Sequence, residues 1–312
     1  MDIAILGSGG VGGTYGGCLA RAGHAVRLWA RGEHLAAIRQ RGLTVHTPEE
    51  SFTVSVAASD RAEELAGVEL AVVAVKTYSL EEVAPVARLL AERGAVVLPL
   101  LNGVEAADRL AALGVPVPAL LGGLTMISAE RTGPGEVRRR STFQRVVLGE
   151  LGGGSSPRVE RIAEAFRSAG IESRASTDIQ LELWEKLVFI ASLATVCGLA
   201  RTAIGAVRSA PHGHAFIAAA VNEAVAVGRA RGVRFGEEVA PRVIATVEGL
   251  AEGMRPSFLL DLERGGPTEL DALMGALARM GAAAGVPTPV HSAATAALSA
   301  ALSARASGSA RH

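Results

Sequence analysis

The first thirty residues constrain the fold more than any other part of the chain. Residues 2–6 form a short apolar run typical of a buried strand, and Gly7 to Gly13 is a glycine-rich turn. From Val11 the apolar residues recur with helical spacing until Gly23, and a second apolar run follows from Val26 to Trp29. A strand, a glycine turn, a helix and a second strand in this order predict the opening of a parallel, doubly wound α/β sheet.

The glycine turn carries the spacing Gly7-x-Gly9-x-x-Gly12. This spacing alone is a weak signal, but here it follows a predicted strand and opens an amphipathic helix, which is the context of a dinucleotide-binding Rossmann-type domain. The first glycine permits the tight turn, the second lets the backbone approach a pyrophosphate, and the third lets helix and strand pack closely. The helix N-terminus then binds the phosphates. The predicted cofactor-binding residues of this turn are Gly7, Ser8, Gly9, Gly10, Val11 and Gly12.

The residues after the second strand indicate which dinucleotide is bound. An NAD-binding domain usually has an acidic residue there for the ribose hydroxyls, whereas this chain has Arg31. The planar guanidinium of an arginine can pair with the 2′-phosphate of NADPH. We therefore predict NADPH as the cofactor. Glu33 is a competing candidate that would favour NAD, and a solvated loop arginine is the structural alternative for Arg31.

Further strands are predicted along the N-terminal half. Residues 43–47 and 52–56 alternate weakly on either side of Pro48-Glu49-Glu50, which suggests a small hairpin. Continuous apolar runs indicate strands covered on both faces, and they lie at 69–75, 95–98 and 117–122. Two strands around Ser141 and Thr142, a helix over 158–169 and a last strand at 171–175 complete this half.

Polar residues follow two of these runs. Ligands in open α/β sheets bind outside the carboxyl ends of the strands. Lys76 follows the run that ends at residue 75, and Asn102-Gly103 follows the run at 95–98. We expect both side chains to face the nicotinamide half of the cofactor. The alternatives are a surface lysine that begins a loop and an ordinary Asn-Gly turn.

Beyond about residue 177 the sequence becomes almost wholly helical in period. A capping box, Thr177-x-x-Gln180, begins a helix that runs through Ile190, and further helices fit 212–231, 236–252 and 266–285. We expect an α/β Rossmann-type domain with a mostly parallel sheet over 1–176 and an all-α domain over 177–312. The small, polar tail from about residue 303 is expected to be disordered.

Composition argues against several functional classes. The 31 basic and 31 acidic residues cancel and aromatic residues make up only 4% of the chain, so neither nucleic acid nor a membrane is an expected partner. We see no signal peptide and no apolar run of about 20 residues, which predicts a cytoplasmic protein. No metal site is expected, because the two cysteines lie in apolar helical pattern and His212-x-His214 has no third ligand in view. The oligomeric state is open, with a homodimer as one option.

Two segments of the helical half stand out, Leu183-Trp184-Glu185-Lys186-Leu187 and Pro267-Thr268-Glu269-Leu270-Asp271, and Ser257 lies twelve residues before Glu269. Combined with the glycine turn, Lys76 and Asn102-Gly103, they make the sequence resemble the ketopantoate reductase (2-dehydropantoate 2-reductase) family over about residues 2–290. The resemblance implies NADPH-dependent reduction of a small 2-oxo acid, 2-dehydropantoate, to the 2-hydroxy acid pantoate, and a place in pantothenate biosynthesis.

The resemblance also implies roles for single residues. The lysine of the family's W-x-K-L segment is the general acid and matches Lys186, and the glutamate of its T-E-x-D segment supports the substrate and matches Glu269. Ser257 matches the serine that binds the substrate carboxylate. Asn102 matches the asparagine of the N-G pair, expected to contact cofactor and substrate, and Arg31 matches the arginine on the 2′-phosphate.

The chain departs from the family pattern beside the lysine. The family usually has asparagines four and eight residues after it, on the same helix face, where this chain has Ile190 and Ala194. Met274 replaces a further asparagine. The lost amides leave this wall apolar, which suits a less polar 2-oxo acid than 2-dehydropantoate. Ser192 and Thr195 are the nearest candidates to replace the missing hydrogen-bond donors.

Two alternatives would mean that the chain has no working reductase site. Lys186 lies four residues after Glu182, so the two could form an ordinary surface ion pair. The chain could also be an NADP-binding sensor that keeps the fold and has lost turnover. The presence of Lys186, Glu269 and Ser257 together favours the enzyme.

Overall fold

The computed structural model describes residues 1–309, and the chain divides into two compact units. The first contains Met1–Leu101 and Glu105–Gln180, and the second contains Asn102–Val104 and the chain from Leu181 onward. The continuous part of the first unit thus extends to Gln180. The sequence gives no sign that Asn102–Val104 leaves the unit whose strands surround it in the chain.

The first unit contains all the strands of the described chain. They are β1 Asp2–Leu6, β2 Ala25–Trp29, β3 Leu43–His46, β4 Ser51–Val54, β5 Ala57–Ser59, β6 Leu70–Val73, β7 Val96–Pro99, β8 Gly122–Met126, β9 Ala129–Gly133, β10 Glu136–Arg139, β11 Arg145–Gly149 and β12 Glu172–Ala175. The helices of this unit are α1 Gly10–Arg21, α2 Gly32–Arg41, α3 Leu80–Glu92, α4 Ala106–Ala112 and α5 Pro157–Ser168.

The central sheet of the first unit is entirely parallel. Its five strands have the order β5-β2-β1-β6-β7, and every neighbouring pair is parallel. Ile3 and Ile5 of β1 belong to one hydrophobic cluster, while Ala4 and Leu6 belong to another. Because successive side chains point to opposite faces of a strand, both faces of β1 are covered, which explains its continuous apolar run. The predicted α/β domain with a parallel sheet is confirmed.

Two smaller sheets complete the first unit, with the orders β4-β3-β10-β9 and β12-β11-β8. The predicted hairpin is confirmed, since β3 and β4 pair antiparallel. The predicted strands on either side of residues 141–142 and the last strand correspond to β10, β11 and β12. The strand predicted at 117–122 is wrong: Val117–Ala119 is a 3-10 turn, and β8 starts only at Gly122. Pro116 and Pro118 explain the error, because proline cannot donate to a strand ladder.

The second unit is helical. Its helices are α6 Ile179–Ala200, α7 Ile204–Ser209, α8 Gly213–Ala230, α9 Val239–Glu248, α10 Ser257–Arg264, α11 Ala276–Ala284 and α12 Pro289–Ser309. The helix predicted over 266–285 is wrong in its first part, since α11 begins only after a π-helical turn at Asp271–Gly275. The expected all-α character is confirmed.

The expected disorder of the tail from residue 303 is not what the structure shows, because α12 continues to Ser309. Extending an existing helix adds one hydrogen bond per residue without a new nucleation step, so a tail rich in alanine can simply continue it. The last part of the expected disordered tail, residues 310–312, lies outside the described residues.

Helix α6 is the core helix of the second unit. Its most apolar stretch has a mean hydropathy of 1.6, and by length and composition alone the helix could cross a membrane. However, 67% of that stretch is buried within the protein. Val188, Ala191 and Val196 are fully buried in the hydrophobic cluster of the unit. A helix that is apolar on all sides and surrounded by other helices is the usual centre of a large helical core.

Candidate active site

The structure of the turn itself requires glycine at two positions, Gly7 and Gly12. Gly7 has a φ of +106°, a backbone conformation that residues other than glycine rarely adopt. A Cβ atom on Gly12 would lie 2.0 Å from the carbonyl oxygen of Gly7, so a side chain there would push α1 away from the turn. Both observations agree with the structural roles expected of the first and third glycines.

Gly9 is different, because the protein around it does not require a glycine. It lies at the N-cap of α1 with a φ of −74°, and a Cβ atom there would meet nothing within 4 Å. The position faces open space, as expected for the glycine that lets a pyrophosphate approach the backbone. Gly9 itself carries no side chain that could cap the first amides of α1, and these groups attract an anion. The turn therefore fits the phosphates of a dinucleotide.

The other residues of the turn have side chains committed elsewhere or none at all. Ser8 is buried, and its hydroxyl donates a hydrogen bond of 3.0 Å to the carbonyl oxygen of Trp29. A Cβ atom on Gly10 would lie 2.4 Å from the backbone of Ala129, so glycine is needed where α1 passes β9. Val11 packs half-buried against the hydrophobic cluster. Any contribution of these three residues to cofactor binding would come from their backbone.

Arg31 lies directly after β2, at the N-cap of α2, and its side chain is more than half exposed. Its Nη2 atom is 2.8 Å from Oε2 of Glu82 in the first turn of α3. Glu33 is also exposed, in the first turn of α2. A guanidinium and two carboxylates thus occur at the end of β2. Sequence reasoning missed Glu82 because 51 positions separate it from Arg31 along the chain.

Lys76 is exposed on the carboxyl side of β6, at the start of the 3-10 turn Thr77–Ser79. The strand itself ends at Val73, earlier than its apolar run suggests. The segment just before the lysine passes beside the glycine turn, since a Cβ atom on Gly7 would lie 2.6 Å from Cγ1 of Val75. This position is compatible with the predicted contact to the cofactor.

In the second unit, three of the predicted residues form a hydrogen-bonded chain. Nζ of Lys186 on α6 donates to Oδ1 of Asn102 over 3.0 Å, and Nδ2 of Asn102 donates to Oε2 of Glu269 over 3.0 Å. Asn102 groups by its contacts with the helical unit, although it follows β7 in the sequence. Its neighbour Gly103 has a φ of +95° and passes close to the carbonyl oxygen of Ala272. The amide of Asn102 thus links the lysine to the glutamate.

Within this hydrogen-bonded chain, burial has the largest effect on the pKa of the lysine. Burial lowers the pKa of Lys186 to about 8, and the negative charge of Glu269 opposes this shift by favouring the ammonium. Glu269 itself is only 6% exposed. With a pKa near 8, Lys186 is protonated at neutral pH and can still release its proton near physiological pH, as a general acid requires. This environment differs from that of a solvated surface lysine, the alternative that the spacing to Glu182 suggests.

The residues that replace the family's asparagines are set into apolar surroundings. Ile190 is half-buried and packs against the hydrophobic cluster, and Ala194 and Met274 are buried members of it. The two candidate replacement donors, Ser192 and Thr195, have fully buried hydroxyls without a hydrogen-bond partner in the described part of the chain. The side chains that follow Lys186 along its helix face are therefore apolar.

Ser257 is the first residue of α10 and is exposed directly after Pro256. A hydroxyl at a helix N-terminus, next to backbone amides, is suited to an anionic group such as a carboxylate. The hydrogen-bonded chain described above does not include Ser257. Its assignment to the substrate carboxylate therefore depends on the family resemblance.

Family models match both halves of the chain. The model described as ketopantoate reductase PanE/ApbA matches residues 3–153, and the model of the C terminal part of the same family matches residues 178–302. A 2-dehydropantoate 2-reductase of Halobacterium salinarum is 34% identical over 283 residues, which are 89% of this chain and 91% of that protein.

Solved structures of similar proteins match nearly the whole chain. The PanE/ApbA family ketopantoate reductase from Ralstonia eutropha JMP134 has a TM-score of 0.87 at 30% identity, and the match covers 98% of this chain and 99% of that one. A D-mandelate dehydrogenase, in a ternary structure with NADH and anilino(oxo)acetate, also has a TM-score of 0.87, at 25% identity and the same coverage. Since the family models match well over half of its residues, this chain belongs to the ketopantoate reductase family.

Proposed function

We propose that the protein reduces a 2-oxo acid to the corresponding 2-hydroxy acid with NADPH, and that 2-dehydropantoate, which becomes pantoate, is a substrate. The observation that carries the proposal is the hydrogen-bonded chain of Lys186, Asn102 and Glu269, whose lysine has a pKa of about 8. A protein that only senses NADP needs no half-buried proton donor of this kind. Family membership supports the same reaction.

The first unit would hold the cofactor. The backbone of Gly7 to Gly12 suits the pyrophosphate, since Gly9 faces open space at the N-terminus of α1. Arg31 supports NADPH over NADH, because its guanidinium can pair with a 2′-phosphate. When bound, the nicotinamide supplies the hydride that reduces the C2 carbonyl. The structural similarity to a dehydrogenase solved with NADH supports a nicotinamide cofactor in general.

The second unit would supply the proton and the charge stabilisation. As the carbonyl is reduced, negative charge develops on its oxygen, and the Lys186 ammonium stabilises this charge and donates a proton to it. Asn102 accepts a hydrogen bond from the ammonium and donates one to Glu269, which restricts where the ammonium can point. Ser257 would bind the carboxylate of the substrate, as the family resemblance implies.

The proposal is tested by following NADPH oxidation with a panel of 2-oxo acids, 2-dehydropantoate among them, for the wild type and Lys186→Ala. We expect the variant to lose a factor of about 10² or more in kcat, the usual contribution of a general acid, while its Kd for NADPH stays near normal. Glu185→Gln is the matched control: it lies next to Lys186 on α6, but its carboxylate pairs with Arg242 at 2.8 Å.

The pH profile adds a second test of the same role. Only the ammonium can donate a proton, so wild-type kcat should be retained below the lysine pKa and fall as the pH rises through about 8. Wild-type turnover by a folded Lys186→Ala would show that Lys186 is not the acid. No turnover of any 2-oxo acid by the wild type, with NADPH still bound, would favour the sensor.

A further inference from the structure

His34 lies beneath the glycine turn and bonds to two other segments through its two ring nitrogens. The side chain is buried, in the first turn of α2. Its Nε2 atom is 2.8 Å from the carbonyl oxygen of Ser8, and the backbone N–H of Gly135, between β9 and β10, donates to its Nδ1 atom over 2.9 Å. The proposed function above assigns no role to this side chain.

The two partners fix the protonation state of the ring. The N–H of Gly135 can only donate, so Nδ1 must carry a lone pair, and the carbonyl of Ser8 can only accept, so Nε2 must carry the proton. The neutral Nε2–H tautomer satisfies both bonds. Burial, with a smaller contribution from the charge of Arg131, lowers the pKa of His34, although the bond to Ser8 opposes this.

The bond to Ser8 has a consequence for its neighbour Gly9. A trans peptide is planar, and its C=O and N–H point in opposite directions. With the Ser8 carbonyl directed at His34, the N–H of Gly9 in the same peptide is directed away from His34. The Ser8 hydroxyl adds a second attachment, to Trp29. A turn with glycines at positions 7, 9 and 10 has little conformational preference of its own, so attachments from outside the turn must select its conformation.

We propose that His34 is a positioning residue for dinucleotide binding: its Nε2–H holds the Ser8–Gly9 peptide in the orientation that presents the N–H of Gly9 to the pyrophosphate. The inference rests on the proposed nicotinamide dinucleotide as cofactor. His34 acts through the backbone of the turn and does not itself touch the cofactor. Its contribution is expected in cofactor affinity rather than in the chemical step.

Two amide substitutions separate the two bonds of the ring. In His34→Asn the short amide can still accept from Gly135 but does not reach Ser8, whereas in His34→Gln the longer amide can reach the Ser8 carbonyl. In His34→Asn one buried hydrogen bond is lost, so we expect NADPH to bind roughly three- to tenfold more weakly. His34→Gln should recover most of the wild-type affinity. At saturating NADPH, kcat and the KM for the 2-oxo acid should be unchanged. His46→Asn, whose ring bonds to Ser51 in the same unit, is the matched control.

Two measurements on the cofactor-free protein complete the test. Nitrogen-15 NMR of the imidazole should show Nδ1 without a proton and Nε2 with one at neutral pH. Amide hydrogen exchange of residues 7–13 should be faster in His34→Asn than in the wild type and in His46→Asn. An Nδ1–H tautomer, or wild-type NADPH affinity and turn exchange in the folded Asn variant, would overturn the inference while leaving the proposed function intact. If the wild type binds neither NADPH nor NADH, the proposed function and the proposed role of His34 are both wrong.

Discussion

At the scale of single residues, the ion pair between Arg31 and Glu82 bears most directly on cofactor choice. The same guanidinium that would pair with a 2′-phosphate is held 2.8 Å from a carboxylate, and both side chains are more than half exposed. An exposed ion pair contributes little to stability, about 1 kcal/mol at most. A phosphate with its higher charge can therefore displace Glu82 from Arg31, but the carboxylate then stays close to the phosphate and repels it.

This arrangement predicts opposite effects for the two partners. Arg31→Ala should abolish an NADPH preference that we expect to be about tenfold or more, because a charged hydrogen bond is lost. Glu82→Gln should tighten NADPH binding by roughly two- to fivefold and leave NADH unchanged. Both affinities are measured by fluorescence titration. Glu92→Gln is the control, since Glu92 forms a similar exposed pair with Arg88 on the same helix. Unchanged NADPH affinity in both Arg31→Ala and Glu82→Gln would show that the 2′-phosphate binds elsewhere.

At the scale of elements, α1 shows that glycines in one motif serve different purposes. Gly12 is needed so that the helix can approach the turn, whereas the protein around Gly9 does not require a glycine, because a Cβ atom there would meet nothing within 4 Å. The sequence motif does not distinguish these two situations, because both appear simply as glycine. The three-dimensional surroundings of each Cα atom do.

The difference predicts a separation of stability from binding. Gly9→Ala should keep the thermal stability of the wild type and lose NADPH affinity by about tenfold or more, because the methyl group occupies the phosphate position. Gly12→Ala should lose about 1–3 kcal/mol of unfolding free energy, since its Cβ would clash with the Gly7 carbonyl. Gly133→Ala, at another position where a Cβ meets nothing within 4 Å, should change neither. Normal NADPH binding by Gly9→Ala would place the pyrophosphate away from this turn.

At the scale of the whole molecule, similarity along nearly the entire chain fixes the fold and leaves the substrate open. The chain matches reductases named for 2-dehydropantoate and a dehydrogenase named for mandelate equally well in structure. Discrimination between such acids depends on the few side chains beside the reacting carbon. Four and eight residues after Lys186, where the family pattern implies amides beside the substrate, this chain has Ile190 and Ala194.

An apolar wall offers no hydrogen-bond partner to the C4 hydroxyl of 2-dehydropantoate, and an unpaired buried polar group costs about 1–3 kcal/mol. We therefore expect kcat/KM for 2-dehydropantoate to be no better than for 3,3-dimethyl-2-oxobutanoate, which lacks only that hydroxyl. Ile190→Asn should shift the preference toward 2-dehydropantoate, and Ile190→Leu, the apolar control, should not. A tenfold preference of the wild type for 2-dehydropantoate would show that donors elsewhere replace the lost amides.

Much of the first unit could be predicted because its signals are local. The strand, turn and helix of residues 2–21 follow from apolar period and glycine spacing, and so does the hairpin of β3 and β4. The errors have local causes too, such as the prolines at 116 and 118. What the sequence could not show are contacts between distant positions: the bond from His34 to Gly135, the pair of Arg31 with Glu82, and the bridge of Asn102 between Lys186 and Glu269.

The departure of Asn102–Val104 from its neighbours in the chain limits how this protein can be recombined. A chimera joined at Gln180 would transfer Lys186 and Glu269 from one parent and take Asn102 from the other. Its lysine and glutamate would then depend on a linking amide that was never selected alongside them. The two halves of the gene therefore do not correspond to two exchangeable modules, and a successful exchange has to move three residues from the middle of the first half together with the second.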